Sequence, residues 1–95
     1  MMKKHKTVLK LLEIFYYLKD QNVEIVDFWD ADLCAIGLKR CNKLVYISTF
    51  YVSESGLYDY DLENLDVNNI PISIVEKRKI KLEDLIIDVE NFLLS

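Results

Sequence analysis

The chain has 95 residues, of which 52% are hydrophobic and 29% are charged, with two glycines and one proline. A chain of this length and composition forms one ordered domain, here residues 1–95, which excludes disordered, collagenous and low-complexity proteins. The net charge is −4, and the negative charge is concentrated in residues 21–75, which contain nine acidic residues and only three basic ones, Lys39, Arg40 and Lys43. Because phosphates would be repelled there, we expect no nucleic acid as ligand, and a basic partner is favoured.

Two segments near the ends of the chain have the apolar spacing of amphipathic helices. The first spans about residues 4–20 and repeats apolar side chains at Val8, Leu11, Leu12, Phe15 and Leu18. The second follows the basic run Lys77-Arg78-Lys79, and we expect the stretch from Lys77 to Lys81 to be a solvated loop. Its apolar positions are Leu82, Leu85, Ile86, Val89, Phe92 and Leu93.

Between these helices the apolar pattern changes to a period of two, which indicates β-strands. Strands are predicted over Val23 to Trp29, Leu33 to Leu38, Leu44 to Val52 and Leu57 to Glu63. Hairpin turns are predicted at Lys39 to Lys43 and at Ser53 to Gly56, and a long loop at Asn64 to Ile72. Ile70 to Val75 predicts a short fifth strand, which Pro71 would keep at a sheet edge.

This order of elements predicts an α+β fold. We expect an antiparallel meander of four strands, with or without the short fifth strand, and the N-terminal and C-terminal helices packed on one face. Phe50 and Tyr51 would point to opposite faces of their strand, so that one of them is buried. Trp29 is expected to lie in the core or to act as a recognition anchor, and a lone tryptophan in a small domain favours the core.

The segment from Gly56 to Glu63 carries the most informative pattern. As a strand, it places three carboxylates on one face and two tyrosines with a leucine on the other. Such acids can bind basic side chains, ligate a divalent cation, or keep an exposed strand from pairing with other chains. Carboxylates about 7 Å apart without a second ligand set make a poor metal site, so we expect a protein-binding surface whose acids lead. The predicted contact residues are Glu54, Tyr58, Asp59, Tyr60, Asp61 and Glu63.

No catalytic or cofactor signature appears in the sequence. The single histidine, His5, lies near the start of the first helix, Cys34 and Cys41 do not have zinc-ligand spacing, and no glycine-rich phosphate loop is present. We therefore expect a protein that is not an enzyme and that holds no cofactor or metal. Lys10 and Glu13 interrupt the apolar run of the first helix, so we expect a cytoplasmic chain with no membrane segment and with free cysteine thiols.

With its size, its acidity, its order of helix, meander and helix, and the stretch LVYISTFYVSESGLYDYDLE from Leu44 to Glu63, the chain resembles small bacterial immunity proteins of contact-dependent inhibition and related polymorphic toxin systems. The resemblance is one of overall character. It implies a cytoplasmic antidote that binds a toxin domain, often a nuclease, and blocks its active site or substrate surface. A nuclease is basic where nucleic acid lies, so an acidic face would complement it.

Two alternatives stay open at this point. The first is a regulatory or adaptor subunit that binds another protein through an apolar sheet edge, and the second is a small metal-dependent enzyme. The sequence predicts no oligomeric state.

Overall fold

The computed structural model describes residues 4–28 and 31–95, and the predicted α+β fold is confirmed. The described residues form five antiparallel strands in the order β1-β2-β3-β4-β5, with bounds Glu24–Val26 (β1), Ala35–Arg40 (β2), Lys43–Ser48 (β3), Tyr58–Leu65 (β4) and Pro71–Ile80 (β5). The helices are Lys6–Ile14 (α1), Val52–Ser55 (α2) and Leu82–Leu93 (α3), and a 3-10 helix, Tyr16–Gln21, follows α1. The meander, the fifth strand and the two terminal helices are all present.

The hydrophobic core lies between one face of the sheet and the helices α1 and α3. Alternate residues of the central strands supply the sheet side, and the helices supply the other layer. The fully buried members are Val8, Leu11, Leu18, Ile36, Leu38, Val45, Ile47, Tyr60, Leu85, Val89 and Leu93. Because a buried aliphatic or aromatic side chain stabilises a fold by about 1.5–3 kcal/mol, this layer is the main source of stability.

Two tyrosines attach α3 to the rest of the domain. The Tyr60 hydroxyl donates a hydrogen bond of 2.6 Å to the Asp88 carboxylate, and the Tyr17 hydroxyl donates one of 2.7 Å to Glu90. Desolvation and the hydrogen bond to Glu90 raise the pKa of Tyr17 to about 12, and desolvation together with Asp88 raises the pKa of Tyr60. Both phenols therefore stay protonated at neutral pH and hold acids that oppose the α3 dipole.

The connection between β3 and β4 differs from the prediction. β3 ends at Ser48, and Val52–Ser55 form a short helix where the end of a strand and a hairpin turn were expected. Phe50 and Tyr51 are consequently both exposed, by 68% and 53%, and their rings meet edge to face with centroids 4.9 Å apart. The prediction that one of them is buried is wrong. Gly56 ends the short helix at φ +71, a conformation that glycine adopts without strain.

The first helix and the first strand are shorter than predicted. α1 ends at Ile14, and the following 3-10 helix ends at Gln21; the next residue, Asn22, has a φ of +64 and reverses the chain into β1. β1 covers Glu24–Val26 only, and the predicted end of this strand at Trp29 lies outside the described residues, as does Asp30.

β5 is the largest departure from the prediction. It spans ten residues at the edge of the sheet, so it extends beyond the predicted Ile70 to Val75 and includes Lys77-Arg78-Lys79. The prediction of a solvated loop for that run is wrong, because pairing with β4 continues to the end of β5. Pro71 is the first residue of this edge strand, as expected for a residue without a backbone N–H.

The pairing of β4 with β5 is irregular near Tyr58, and Lys79 adopts φ +57 there. The predicted long loop shortens to residues 66–70. In it the Asp66 carboxylate accepts hydrogen bonds from the backbone N–H groups of Asn68 and Ile70, at 2.8 and 3.0 Å. Residues 66–70 therefore form a compact turn that leads into β5.

Both cysteines are free thiols, with Cys34 half-buried and Cys41 exposed. Cys41 occupies the tight turn between β2 and β3 at φ +55. Within residues 4–28 and 31–95, no helix is sufficiently long and apolar to cross a bilayer.

Candidate functional site

The predicted carboxylates of β4 lie on the side of the sheet that faces away from α1 and α3. Tyr60, between Asp59 and Asp61, belongs to the core beneath the helices. Because side chains alternate along a strand, Asp59, Asp61 and Glu63 share the opposite face. We call these three residues the acidic row, and we call the side of the sheet that carries them the outer face.

Tyr58 and Tyr60 point away from the outer face. They are exposed by only 5% and 0%, and both belong to the core cluster. The prediction that these tyrosines contact a partner alongside the acids is therefore corrected, because their side chains lie on the opposite side of β4, in the core cluster. The physical reason is that they share their side of β4 with Leu62, which makes that side the more apolar one and turns it towards the core.

Arg78 on β5 is the counter-ion of the acidic row. Its guanidinium lies 2.9 Å from the Asp61 carboxylate and 3.0 Å from the Glu76 carboxylate. The hydrogen bond to Asp61 raises the pKa of Arg78. The Asp59 carboxylate accepts a hydrogen bond of 2.9 Å from the backbone N–H of Lys79. β5 therefore engages both aspartates of the row.

Glu63 differs from the two aspartates. It is only 7% exposed, and it makes no hydrogen bond or ion pair with any residue that the structure describes. Burial raises the pKa of its carboxyl group, and the negative charge of Asp61 adds to this effect. A nearly buried carboxylate without a partner destabilises a folded state, so packing alone does not account for a glutamate at this position.

Two depressions lie along the acidic row. The first has a volume of about 540 Å³ and is lined by Tyr51, Glu54, Ser55, Leu57, Asp59, Arg78 and Lys79. The second, which we call the Glu63 depression, has a volume of about 340 Å³ and is lined by Phe28, Leu44, Tyr46, Asp61, Glu63, Leu65, Asn69 and Pro71. Each depression contains two of the four predicted acidic contact residues, so the structure brings Glu54 to the row.

Exposed aromatic side chains border both depressions. Tyr51 lines the first with its neighbour Phe50 in contact, and Phe28, which is 57% exposed, lines the second. The predicted contact residues included the two β4 tyrosines but neither Phe28 nor Arg78. No sequence signal marks Arg78, because its role depends on the register between β4 and β5.

The remaining candidates for chemistry among the described residues are their possible metal ligands and His5. None of their His, Cys, Asp and Glu side chains form a group of three or more that could hold a metal ion. The His5 imidazole accepts a hydrogen bond from the backbone N–H of Thr7 at the start of α1, where it acts as a helix cap. What the arrangement provides is an acidic surface with aromatic borders.

Comparisons with protein-family models, with curated proteins and with solved structures find no match for this chain.

Proposed function

We propose that the chain is a non-enzymatic binding protein that neutralises a protein partner with a basic surface, in the manner of an immunity protein and its toxin. The observation that carries the proposal is the acidic surface of the outer face. Glu54 and the acidic row line the two depressions, while Arg78 and Lys79 are the basic residues that line them. The surplus of negative charge would attract lysines and arginines of a partner.

The division between charges and aromatic side chains fits such a role. Charged groups at a surface accelerate the encounter of two proteins, and aromatic side chains that become buried slow their dissociation. Asp59 and Asp61 remain partly exposed, and Phe50, Tyr51 and Phe28 are more than half exposed beside them. A cytoplasmic toxin domain with a basic active site, such as a nuclease, is the partner that we propose.

The decisive test uses the toxin domain that this proposal predicts to be encoded next to the gene for this chain. The variant D59N/D61N/E63Q removes three charges with little change in shape. We expect its affinity for the toxin domain to fall by about a hundredfold or more, since one buried charge pair at an interface contributes about 2 kcal/mol or more. Cells that express the toxin domain should then lose protection.

The matched control is E13Q/D20N/E83Q, which makes the same change in net charge at exposed positions outside the acidic row. This control should bind and protect like the wild-type chain. Equal affinity of the two triple variants, with both folded by circular dichroism, would refute the proposal.

One observation favours the alternative of an adaptor that binds through a sheet edge. β5 is an edge strand, and its Ile72, Ile74 and Val75 are exposed by 68%, 51% and 54%. A partner strand could add to this edge through backbone hydrogen bonds. Salt separates the two modes, because binding through the acidic row weakens steeply as salt rises and binding through an apolar edge does not.

A further inference from the structure

The Glu63 depression has the features of a receptor for one cationic side chain. Its acids are Glu63 and Asp61, and its remaining wall is mainly apolar or aromatic, formed by Phe28, Leu44, Tyr46, Leu65, Asn69 and Pro71. Leu44 and Leu65 are 3% and 2% exposed but lie outside the core cluster beneath the helices. The outer face therefore has a small apolar floor of its own, and carboxylates lie beside it.

Glu63 supplies the observation that points to a ligand. Only 7% of the residue is exposed to solvent, and it has no hydrogen-bonding or ionic partner among the described residues. No fully buried side-chain oxygen or nitrogen in the described part of the chain lacks a partner. The Glu63 carboxylate must therefore keep access to solvent, and the depression that it lines is the opening that the structure provides.

The neighbouring carboxylate of the acidic row indicates which cation suits Glu63. Asp61 is paired with the guanidinium of Arg78 at 2.9 Å, whereas Glu63 has no equivalent. A guanidinium binds a carboxylate through two parallel hydrogen bonds and stacks on aromatic rings. The rings of Phe28 and Tyr46 also line this depression. A divalent cation would need more oxygen ligands than this pair of acids supplies.

We infer that the Glu63 depression receives the guanidinium group of an arginine side chain carried by the protein partner. This inference rests on the proposed function and adds to it the chemistry of one contact. The aliphatic stem of the arginine would lie on the apolar floor, and its guanidinium would pair with the Glu63 carboxylate.

The test uses a blocked tripeptide, acetyl-Gly-Arg-Gly-amide, titrated into the ¹⁵N-labelled protein at low salt, with the corresponding lysine and citrulline peptides for comparison. We expect saturable shifts of the backbone amide signals around the depression, at Leu44, Tyr46, Asp61 and Glu63. The arginine peptide should bind about threefold more tightly than the lysine peptide, because a guanidinium can form two parallel hydrogen bonds with a carboxylate. The neutral citrulline peptide should produce no saturable shift.

The variant E63Q should weaken binding of the arginine peptide about tenfold, because it removes a charged hydrogen-bond acceptor. E24Q, an exposed glutamate of β1, should behave like the wild-type protein, and the spectra themselves report whether each variant is folded. The inference is overturned by unsaturated shifts, by equal binding of the arginine and lysine peptides, or by unchanged binding to E63Q. Calcium chloride producing the same shifts at lower concentration would also overturn it.

These outcomes are separate from those for the proposed function. If the triple variant D59N/D61N/E63Q loses toxin binding and the peptides produce no response, the acidic surface is supported as the toxin-binding site and only the inference of an arginine receptor is overturned. A peptide response without any effect of the triple variant on toxin binding would refute the parent proposal instead.

Discussion

Replacing Glu63 with glutamine should stabilise the folded protein at neutral pH. Glu63 is 7% exposed, its carboxylate has no partner among the described residues, and Asp61 lies beside it with the same charge. The amide keeps the shape of the side chain and removes its ionised form. We expect the free energy of unfolding to rise by about 1 kcal/mol, within the range of single stabilising substitutions, which corresponds to about 4–8 °C in Tm for a domain of this size.

The pH dependence of this effect has a defined sign. Burial raises the pKa of Glu63 in the folded state, so the folded chain holds this proton more tightly than the unfolded chain does. The contribution of Glu63 to the free energy of unfolding of the wild-type protein therefore falls as pH rises from the ordinary glutamate pKa through the raised pKa, and above the raised pKa this loss is complete. The difference in stability between E63Q and the wild-type protein should grow over the same interval.

Urea-induced unfolding at a series of pH values from acid to neutral measures this difference. E24Q is the control, since Glu24 is exposed on β1, and its effect should stay within about 0.5 kcal/mol. If E63Q is equal to or less stable than the wild-type protein at pH 7, the carboxylate has a favourable partner in the fold and the reasoning fails.

Three further substitutions test other parts of the structure. Y60F should lower the free energy of unfolding by about 1.5–3 kcal/mol, because it removes the hydrogen bond from the buried Tyr60 to a carboxylate. Y17F should lower it by less than about 1 kcal/mol, because Tyr17 is 45% exposed. Equal losses for the two variants in urea unfolding would contradict the role of burial. C41G should gain about 0.5 kcal/mol, since relief of the strain at φ +55 exceeds the entropy cost of glycine; a loss of stability would show that the Cys41 side chain contributes contacts. R78Q should bind a basic partner several-fold faster at low salt, because it removes the cation of the acidic row; slower association in stopped-flow measurements would mean that Arg78 contacts the partner.

The architecture followed from the sequence because its strongest signals are periodic. Val8 to Leu18 and Leu82 to Leu93 repeat at helical spacing, and the central segments alternate, so the helices and the meander could be predicted. The alternation in β4 also predicted correctly that the three carboxylates share a face. In β5 only the first half, within the predicted Ile70 to Val75, had a strand signal; the charged second half had none, because an edge strand that is exposed on most positions has no reason to alternate.

The site was only partly predictable for a related reason. Alternation tells which residues of a strand lie together, but the choice of the buried side depends on the neighbouring strand and on the helices. Val45 and Ile47 of β3 continue the tyrosine side of β4 into the core, which is information from pairing. The ion pair between Arg78 and Asp61 depends on the register between β4 and β5, and the burial of Glu63 depends on residues distant in the sequence. No local pattern therefore predicts either of them.

The division of β5 into two chemically different halves has a consequence for self-association. Residues 71–75 are mostly apolar, whereas Glu76 to Lys79 are charged and mostly basic. If two copies paired antiparallel about the centre of this strand, the apolar half of each copy would face the charged half of the other, and the lysines would lose hydration without gaining carboxylates. The exposed edge therefore disfavours the chain's own copies, while a foreign strand with acids at one end and apolar residues at the other would match it.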